Sequence, residues 1–480
     1  MSRIVVVGAG VGGLTAAVRL AEAGHSVVVH ERAAVAGGKL GCYSRSGFRF
    51  DTGPSLLTLP QVFGELGLSP VSLDPVVRHV FPDGTVLDSS SSHPEFLSRI
   101  EAALGRSAAE DWARFWKRAT RIWDASWRSV LQRPVTPGSL ASLSWRVGDL
   151  AAIAPGRTLR GLGRKYLRDW RLRMLLDRYA TYAGVDPRRA PAALAAIPYA
   201  ELAFGGWYLP GGLGTLGDAL LSRCATLGVE IRFNSTVEAV EVVAGRATGV
   251  RFASGSSAAA DVVVANVDAL TLYRDLLPAP ARLAGLADRS LAGFVLLLGV
   301  RGATPSLAHH TVFFPGDYDA EFNAVFGSAS SRARPASDPT VFVTRAVDPA
   351  VSPAGDEAWF VLINAPRHGT GWSAVDWTRP GLAEAYQEHV LGVLARRGLD
   401  VRDRLLFAEN RTPHDLAVSS GAPGGAIYGT AGGLVRPANR GPVDGLFLVG
   451  GSAHPGGGLP MVTLSAQIVA DQIGPALRSG

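Results

Sequence analysis

The sequence predicts an α/β fold with a parallel sheet built from both ends of the chain. Residues 4–7 (IVVV) form a continuous β-branched run, typical of a strand buried on both faces, and residues 8–13 (GAGVGG) follow directly. Near the other end, residues 446–449 (LFLV) run into a second glycine-rich stretch, residues 450–460. In both places a buried strand leads through glycines into a predicted helix. The two ends of the chain are therefore predicted to share one nucleotide-binding domain.

The predicted domain organisation is discontinuous. At 480 residues the chain is too long for one simple core. We expect residues 1–85, 205–275 and 431–480 to form the nucleotide-binding domain, with two insertions between them. The first insertion, residues 86–204, has aromatic residues at helical spacing, and the second, residues 276–430, alternates short strands with Pro/Gly loops. The first is predicted to be helical and the second to be a mixed sheet that carries the substrate site.

The composition excludes several classes of protein. The two cysteines, Cys42 and Cys224, lie far apart, so we expect no disulfide scaffold, no cysteine-based metal site and a cytoplasmic location. A signal peptide is not expected, because the apolar run after Met1 is predicted to be a strand and a glycine turn. The longest nearly uncharged apolar run, residues 290–300, is far below the roughly 18–20 residues that a membrane-spanning helix needs.

Basic charge is concentrated in one region. Residues 99–189 hold 19 Lys/Arg against 8 Asp/Glu, and six of the ten tryptophans lie in this region. Tryptophan mixed with arginine is typical of a membrane interface, so the region is predicted to bind a membrane surface. The alternative is a solvated helical bundle with the tryptophans in its own core. Nucleic-acid binding is not expected, because no recognition module is present.

The first glycine stretch has the spacing of a Rossmann-type fingerprint. Gly8 permits a tight turn, Gly10 allows the backbone to approach a pyrophosphate, and Gly12 and Gly13 let the helix pack on the strand. Glu31 ends the second predicted strand, 18 residues after Gly13, where its carboxylate is expected to accept the ribose hydroxyls. A site for the phosphates and ribose of a dinucleotide is therefore predicted, with the neighbouring Arg32 included in it.

Three further segments favour a flavin dinucleotide. Residues 37–39 (GGK) form a second glycine-basic turn, in which Gly38 and Lys39 are expected near the diphosphate. Residues 48–54 (FRFDTGP) resemble the flavoprotein segment that passes beside the flavin ring, which implies that Gly53 and Pro54 lie there, with Asp51 organising the loop; an ordinary hairpin is the alternative. The same resemblance implies that Val237 contacts adenine through its backbone, although a plain core valine fits nearly as well.

The second glycine stretch is predicted to close the flavin site. Gly450 and Gly451 follow the last strand, and a helix is expected to begin at Pro460. The N–H groups of Met461 and Val462 would then point at the flavin and stabilise negative charge on its reduced form. His454 is a candidate acid/base residue, and the alternative is that its His-Pro pair shapes the loop.

Together these segments resemble the phytoene-desaturase-type carotenoid oxidoreductases, a branch of the FAD-containing amine-oxidase superfamily. The motifs that carry the resemblance are residues 6–14 (VVGAGVGGL), 37–39, 50–54 (FDTGP), 206–212 (GWYLPGG) and 448–460. The resemblance implies FAD as cofactor, a carotenoid delivered from a lipid bilayer as substrate, and oxygen or a quinone as electron acceptor. It also implies a membrane-facing helical insertion and peripheral association with the inner face of the cell membrane. Trp207, Tyr208 and Tyr428 are the substrate-contact candidates by position.

Within that family, residues 361–366 (VLINAP), 424–429 (GGAIYG) and 454–461 (HPGGGLPM) are similar to desaturases that act on acyclic, often 1-hydroxylated carotenoids. This similarity implies insertion of a 3,4 double bond by hydride transfer to flavin N5 and loss of a neighbouring proton. Phytoene desaturation and terminal-methyl oxidation or ketolation stay open as alternatives. Amine oxidation is disfavoured because no lysine follows Lys165. A non-enzymatic flavin-bound lipid carrier is the alternative from another class.

Overall fold

A five-stranded parallel sheet forms the centre of the fold. The computed structural model describes residues 1–279, 282–431 and 436–476. Every neighbouring pair of strands in this sheet runs parallel, and Ile4 lies opposite Val27 on one side and Val262 on the other. The sheet confirms the predicted α/β fold, since its strands come from the beginning, the middle and the end of the chain. Across the sheet the order is Leu446–Leu448, Val262–Ala265, Arg3–Val7, Ser26–His30 and Glu230–Arg232.

Three helices cover this sheet. Helix Val11–Glu22 packs against helix Leu459–Ile473 and helix Gly214–Thr226. Leu14, Leu20 and other fully buried side chains hold the helices to the strands. The first helix begins at Val11, so Gly12 and Gly13 of the glycine loop already belong to the helix. The two ends of the chain are thereby packed against each other, beside the glycine loop.

A seven-stranded mixed sheet forms the second layer. Its strands are antiparallel except for one pair, in which Arg78–Val80 runs parallel to His310–Phe313. The hairpin that extends this sheet spans the predicted boundary at residue 85, so the sheet includes strands from both sides of that boundary. In order across the sheet the strands are Leu405–Arg411, Ala292–Arg301, Asp356–Ala365, Val341–Arg345, His310–Phe313, Arg78–Val80 and Val86–Asp88.

The remaining strands form small sheets, and helices pack around the second layer. Strands Val237–Val243, Arg246–Phe252 and Ser257–Ala259 make an antiparallel sheet. The other strand pairs are Cys42–Arg45 with Phe48–Asp51, Val71–Ser72 with Trp207–Tyr208, and Arg367–His368 with Ala374–Val375. The longer helices here are Tyr318–Phe326, Leu382–Arg396 and Pro413–Ser420.

The first insertion is helical, as its aromatic spacing predicts. Trp112 and Trp123 are buried in its own core, whereas Trp145 is 87% exposed. These two tryptophans are therefore structural, in agreement with the alternative of a helical bundle that holds tryptophans in its own core. The helices are His93–Leu104, Arg106–Ser126, Pro137–Trp145, Val147–Ile153, Leu159–Tyr166, Trp170–Arg178 and Ala196–Phe204, with a π-helical turn at Trp127–Leu131.

Many basic side chains of this insertion are paired. The Arg168 guanidinium donates to the buried carboxylate of Asp111 at 2.9 and 3.0 Å, and Arg160 bridges Asp177 and Asp319. These arginines hold helices together, so the excess basic charge of the sequence overstates the charge available for a partner. In the described parts of the chain, no helix is both long and apolar enough to cross a membrane.

Candidate flavin site

The N-terminus of helix Val11–Glu22 is a preformed anion site. Gly10 occupies the N-cap position with an extended backbone and brings no capping side chain of its own, and the first turn of the helix carries no acidic residue. Unpaired N–H groups at such a terminus, together with the helix dipole, favour a phosphate. The predicted fingerprint is therefore placed where a pyrophosphate could be held.

The glycines of this loop are required by close approach. A Cβ atom on Gly13 would lie 2.0 Å from the carbonyl oxygen of Gly8, which no real contact permits. A Cβ atom on Gly12 would lie 2.9 Å from Val462 Cγ1 and 3.1 Å from Gly450 Cα. The two glycine stretches predicted at opposite ends of the sequence are thus in direct contact.

The side chain of Asn266 supports the glycine loop, and no local sequence motif predicted this role. Its side-chain amide, with the oxygen turned to the loop, accepts from the N–H groups of Gly10 at 3.3 Å and Gly13 at 3.1 Å. Asn266 follows strand Val262–Ala265, whose position next to the first strand places the amide under the turn. The available signal was a polar residue directly after a buried strand.

Glu31 and the segment before Val237 lie together at the end of the second strand. The Glu31 carboxylate accepts from Ala9 N–H at 2.7 Å and Ala33 N–H at 2.9 Å, which holds it beside the glycine loop. The N–H of Ser235 donates to the Glu31 carbonyl at 2.8 Å, and Val237 begins the next strand. Both residues are thus brought to the ribose and adenine end of the predicted site.

Arg32 is directed elsewhere. Its guanidinium donates to the carbonyl oxygens of Val418 at 2.6 Å and Ser419 at 3.0 Å, at the C-terminal end of helix Pro413–Ser420. A cation at this end of a helix satisfies carbonyls that have no partner within the helix. In this geometry Arg32 acts as a helix cap, and its predicted place among the cofactor contacts is not supported.

The second glycine turn packs on the first. The N–H of Gly37 donates to Ala9 O at 2.9 Å, and a Cβ atom on Gly38 would lie 3.2 Å from Gly10 Cα. The Lys39 ammonium donates to Ala426 O at 3.0 Å and Ile427 O at 2.6 Å. Desolvation lowers the pKa of the Lys39 ammonium group to about 8.

Asp51 organises the neighbouring turn, as predicted. Its carboxylate accepts from Leu213 N–H at 2.7 Å and Gly214 N–H at 2.9 Å, and so caps helix Gly214–Thr226 from another part of the chain. Burial raises the pKa of Asp51, and these two hydrogen bonds oppose that rise. The contact fixes the segment that leads into Gly53 and Pro54.

At the C-terminal loop the structure assigns different roles to Met461 and Val462. Helix Leu459–Ile473 begins after Gly458, and within the described residues no side chain caps it. The N–H of Val462 already donates to Gly458 O at 2.9 Å inside the helix, and this contact does not support its predicted role as a flavin donor. Its side chain instead contacts Gly12, while Met461 lines the adjoining cavity.

His454 is buried away from that cavity. Its Nε2–H donates to the carbonyl oxygens of Val130 at 3.0 Å and Arg133 at 2.9 Å, and burial lowers the pKa of the imidazole. The side chain is neutral at pH 7 and is not among the residues that wall the cavity. The prediction of an acid/base role is not supported, and the alternative, a structural role in the loop, agrees with these contacts.

A cavity of about 340 Å³ lies in front of the two flavin segments. Gly53 and Pro54 wall one side, and the loop from Pro455 to Met461 walls another. Most of the remaining lining is apolar and comes from Leu56 and from both insertions, which contribute Trp123, Leu131, Leu194, Ile197, Phe342, Phe360, Leu362 and Ile427. Such a space suits a long apolar ligand.

A second cavity, about 580 Å³, has a different character. Charged residues such as Asp186, Arg189 and Asp288 stand in its wall, and none of the predicted flavin segments reaches it. The smaller, apolar cavity is therefore the better candidate for the reaction site, because it alone joins the apolar space to both flavin loops.

Of the three predicted substrate contacts, the structure places one in the apolar cavity. Tyr428 lines it, and the ring packs so closely on Gly457 that a Cβ atom there would lie 2.4 Å away. Trp207 instead donates from its indole to Phe204 O at 2.8 Å, and the Tyr208 hydroxyl donates to Asp348 at 2.9 Å. Neither lines the cavity, so direct substrate contact by these two residues is not supported.

FAD fits the residues described above. The helix N-terminus, with no acidic residue in its first turn, suits its diphosphate, the glycines leave room for close backbone approach, and Glu31 stands where the ribose is expected. Gly53, Pro54 and Met461 surround the space where the chain would present a flavin ring to an apolar ligand. The arrangement defines a flavin-dependent oxidoreductase.

Comparison with known proteins gives the family. The model of the flavin containing amine oxidoreductase family matches residues 11–294. The chain is 33% identical to a 4,4'-diapolycopene oxygenase of a Methylomonas species (98% of each chain) and 30% identical to a 1-hydroxycarotenoid 3,4-desaturase of Flavobacterium sp. strain P99-3 (98% of this chain, 99% of that one). A Methanosarcina mazei oxidoreductase structure matches with a TM-score of 0.64 at 17% identity, over 98% of this chain and all of that one, and shows the shared fold.

The chain therefore belongs to the flavin containing amine oxidoreductases, within the group of carotenoid desaturases and oxygenases. It is an FAD-dependent oxidoreductase, as the sequence motifs predicted.

Proposed function

We propose that the chain introduces a 3,4 double bond into an acyclic, 1-hydroxylated carotenoid. The observation that carries this proposal is the mainly apolar cavity walled by both flavin segments, Gly53–Pro54 and Pro455–Met461. A carotenoid is an apolar rod without charges, so the protein must hold it by shape and apolar contact. The 30% identity to a 1-hydroxycarotenoid 3,4-desaturase and the similar motifs at residues 361–366, 424–429 and 454–461 support the choice of reaction.

In this mechanism the protein mainly positions the substrate and shields the reacting carbons from water. Bound FAD supplies a hydride acceptor at N5. The apolar wall aligns the polyene and excludes water from the reacting carbons, and Tyr428, fixed on Gly457, limits how the chain lies against the flavin loop. Loss of hydride beside a polyene leaves a delocalised cation on the substrate, so a weak base suffices for the following proton loss.

Terminal-methyl oxidation is the second candidate. It is favoured by the 33% identity to a diapolycopene oxygenase over the same length of chain. The test offers purified holoenzyme on liposomes a 1-hydroxylated acyclic carotene or phytoene, each with oxygen or a quinone as acceptor. We expect loss of two mass units and a red shift from the hydroxylated substrate alone; conversion of phytoene, or a product with added oxygen, would contradict the proposal.

We further propose that the enzyme docks on the inner face of the cell membrane. Leu131 lines the cavity at the end of the long helix, and the next helix ends at the exposed Trp145, beside Arg146. An indole next to a guanidinium suits an interface with anionic lipid, where each basic residue contributes about 1 kcal/mol. Flotation with phosphatidylglycerol vesicles should weaken in Trp145→Ser but not in Trp372→Ser, a second exposed tryptophan. Equal binding of all three proteins would contradict this docking.

A further inference from the structure

A buried charged pair lies in the wall of the apolar cavity. Arg178 lies at the end of helix Trp170–Arg178 and is 5% exposed. Glu201 lies on helix Ala196–Phe204 and is 1% exposed. Both residues line the cavity. Arg178 Nη2 donates to the Tyr182 hydroxyl at 2.7 Å, and the Tyr179 hydroxyl donates to Glu201 Oε1 at 2.8 Å. Each member of the pair is thus hydrogen-bonded to one tyrosine.

Each member of the pair has one atom without a partner. Among the described residues, Arg178 Nη1 donates to nothing and Glu201 Oε2 accepts nothing. Buried charged groups of this kind are nearly always fully hydrogen-bonded, because an unsatisfied one is costly. A ligand in the cavity is therefore expected to supply the missing hydrogen-bond partner of each atom.

The chemistry of the two atoms selects the ligand group. A hydroxyl accepts one hydrogen bond and donates another, so it satisfies an N–H donor and a carboxylate oxygen together. An aldehyde or a methyl ether only accepts, and a carboxylate would be repelled by Glu201. A plain hydrocarbon end would leave both atoms unpaired.

The pair and the flavin loop share one cavity. Arg178 and Glu201 line it together with Tyr428, which packs on Gly457 of the C-terminal flavin loop. A hydroxyl bound at the pair would therefore stand in the same cavity as the carbons that face the flavin segments. The oxygen of a 1-hydroxyl group is three bonds from C-3 and four from C-4, so holding it restricts which carbons lie against those segments.

We infer that Arg178 and Glu201 bind the end-group hydroxyl of the substrate and thereby determine both specificity and the position of the new double bond. The inference rests on the proposed desaturation and assigns the selectivity of that same site. Arg178 and Glu201 are positioning residues in this account, since they hold the substrate and take no part in bond breaking.

The test compares three substrates in the FAD-loaded enzyme: a 1-hydroxylated acyclic carotene, its methyl ether and the parent hydrocarbon of equal conjugation. For the wild type we expect kcat/KM to be about 10- to 100-fold higher with the hydroxyl than with either analogue. Glu201→Gln and Arg178→Met should lower kcat/KM for the hydroxylated substrate at least about 10-fold while changing that for the parent by less than about 3-fold. Glu357→Gln, which alters a buried ion pair with Arg345 outside the cavity, should leave the ratios unchanged.

Binding gives a second measurement that does not depend on turnover. Titration of each carotenoid into anaerobic enzyme whose FAD has been reduced beforehand, followed by the shift of the polyene spectrum, should show the same loss of hydroxyl preference in both variants at unchanged FAD content. Equal losses for hydroxylated and parent substrates would overturn the inference and make the pair structural. A wild type that desaturates all three equally would overturn it while leaving desaturation intact; oxygen insertion with retained hydroxyl preference in binding would instead overturn the proposed reaction.

Discussion

The imidazole Nε2–H of His454 donates to the carbonyl oxygen of Val130 at 3.0 Å and so ties the C-terminal flavin loop to the turn after helix Arg106–Ser126. Leu131, next to Val130, lines the cavity on one side, and Pro455, next to His454, lines it on the other. One buried side chain thereby fixes two walls of the reaction site relative to each other.

Replacing His454 should affect structure rather than proton transfer. In His454→Phe two buried carbonyls lose their donor, which costs roughly 1–3 kcal/mol, so we expect a lower Tm and weaker FAD retention. The pH profile of kcat should keep its shape, because the wild-type imidazole is already neutral. Thermal unfolding and flavin-to-protein absorbance measure the first effects, with His389→Phe, on a more exposed face, as the control. Full stability with lost activity would restore a catalytic role.

Gly12→Ala should abolish FAD binding. The new methyl group would meet Val462 and Gly450, so the two ends of the chain must separate or the loop must distort. Flavin content after purification measures this effect. Gly217→Ala is the matched control, since a Cβ atom there meets nothing within 4 Å and alanine favours the helix by up to about 1 kcal/mol. Normal FAD content in Gly12→Ala would contradict the close contact of the two glycine stretches.

Lys39 should make the stability of the apoprotein rise with pH in the alkaline range. Its pKa is lowered to about 8 in the folded protein from an ordinary value near 10.5, mainly by desolvation. Between these values the unfolded chain binds more protons, so this group makes stability rise as pH increases from about 8 to 10.5. The Tm of the wild type should therefore rise relative to that of Lys39→Met over this interval. A constant difference between the two proteins would contradict the lowered pKa of the ammonium group.

Asp51→Ala should destabilise the protein without changing which substrate is used. Its carboxylate caps the N–H groups of Leu213 and Gly214, and loss of such a cap typically costs about 0.5–2 kcal/mol. Denaturant unfolding measures the loss, and Asp218→Ala, an exposed residue of the same helix, should change it much less. Unchanged stability in Asp51→Ala would show that the cap is dispensable.

Features encoded locally were predictable from the sequence. The buried strand at residues 4–7, the glycine turn after it and strand Val237–Val243 each carry their own periodic pattern. Asn266 and the pairing of Arg78–Val80 with His310–Phe313 depend on contacts between segments hundreds of residues apart. Trp207 and His454 had suggestive positions, but packing directed their side chains to backbone carbonyls.

The buried pair Arg178 and Glu201 shows the same limit. In the sequence Arg178 belongs to a basic stretch and Glu201 to an apolar helix, and nothing local joins them. Folding brings both residues to the wall of one cavity. There, among the described residues, each has one buried atom without a hydrogen-bond partner.

The most direct test of the central claim is the isotopic composition of the product from a 1-hydroxylated acyclic carotene. Holoenzyme on liposomes is supplied with a quinone under argon, and in parallel with ¹⁸O₂. We predict a product two mass units lighter in both reactions, with no ¹⁸O in either. A product that requires oxygen and contains ¹⁸O, or that gains an oxygen from water under argon, would contradict desaturation and assign terminal oxidation instead.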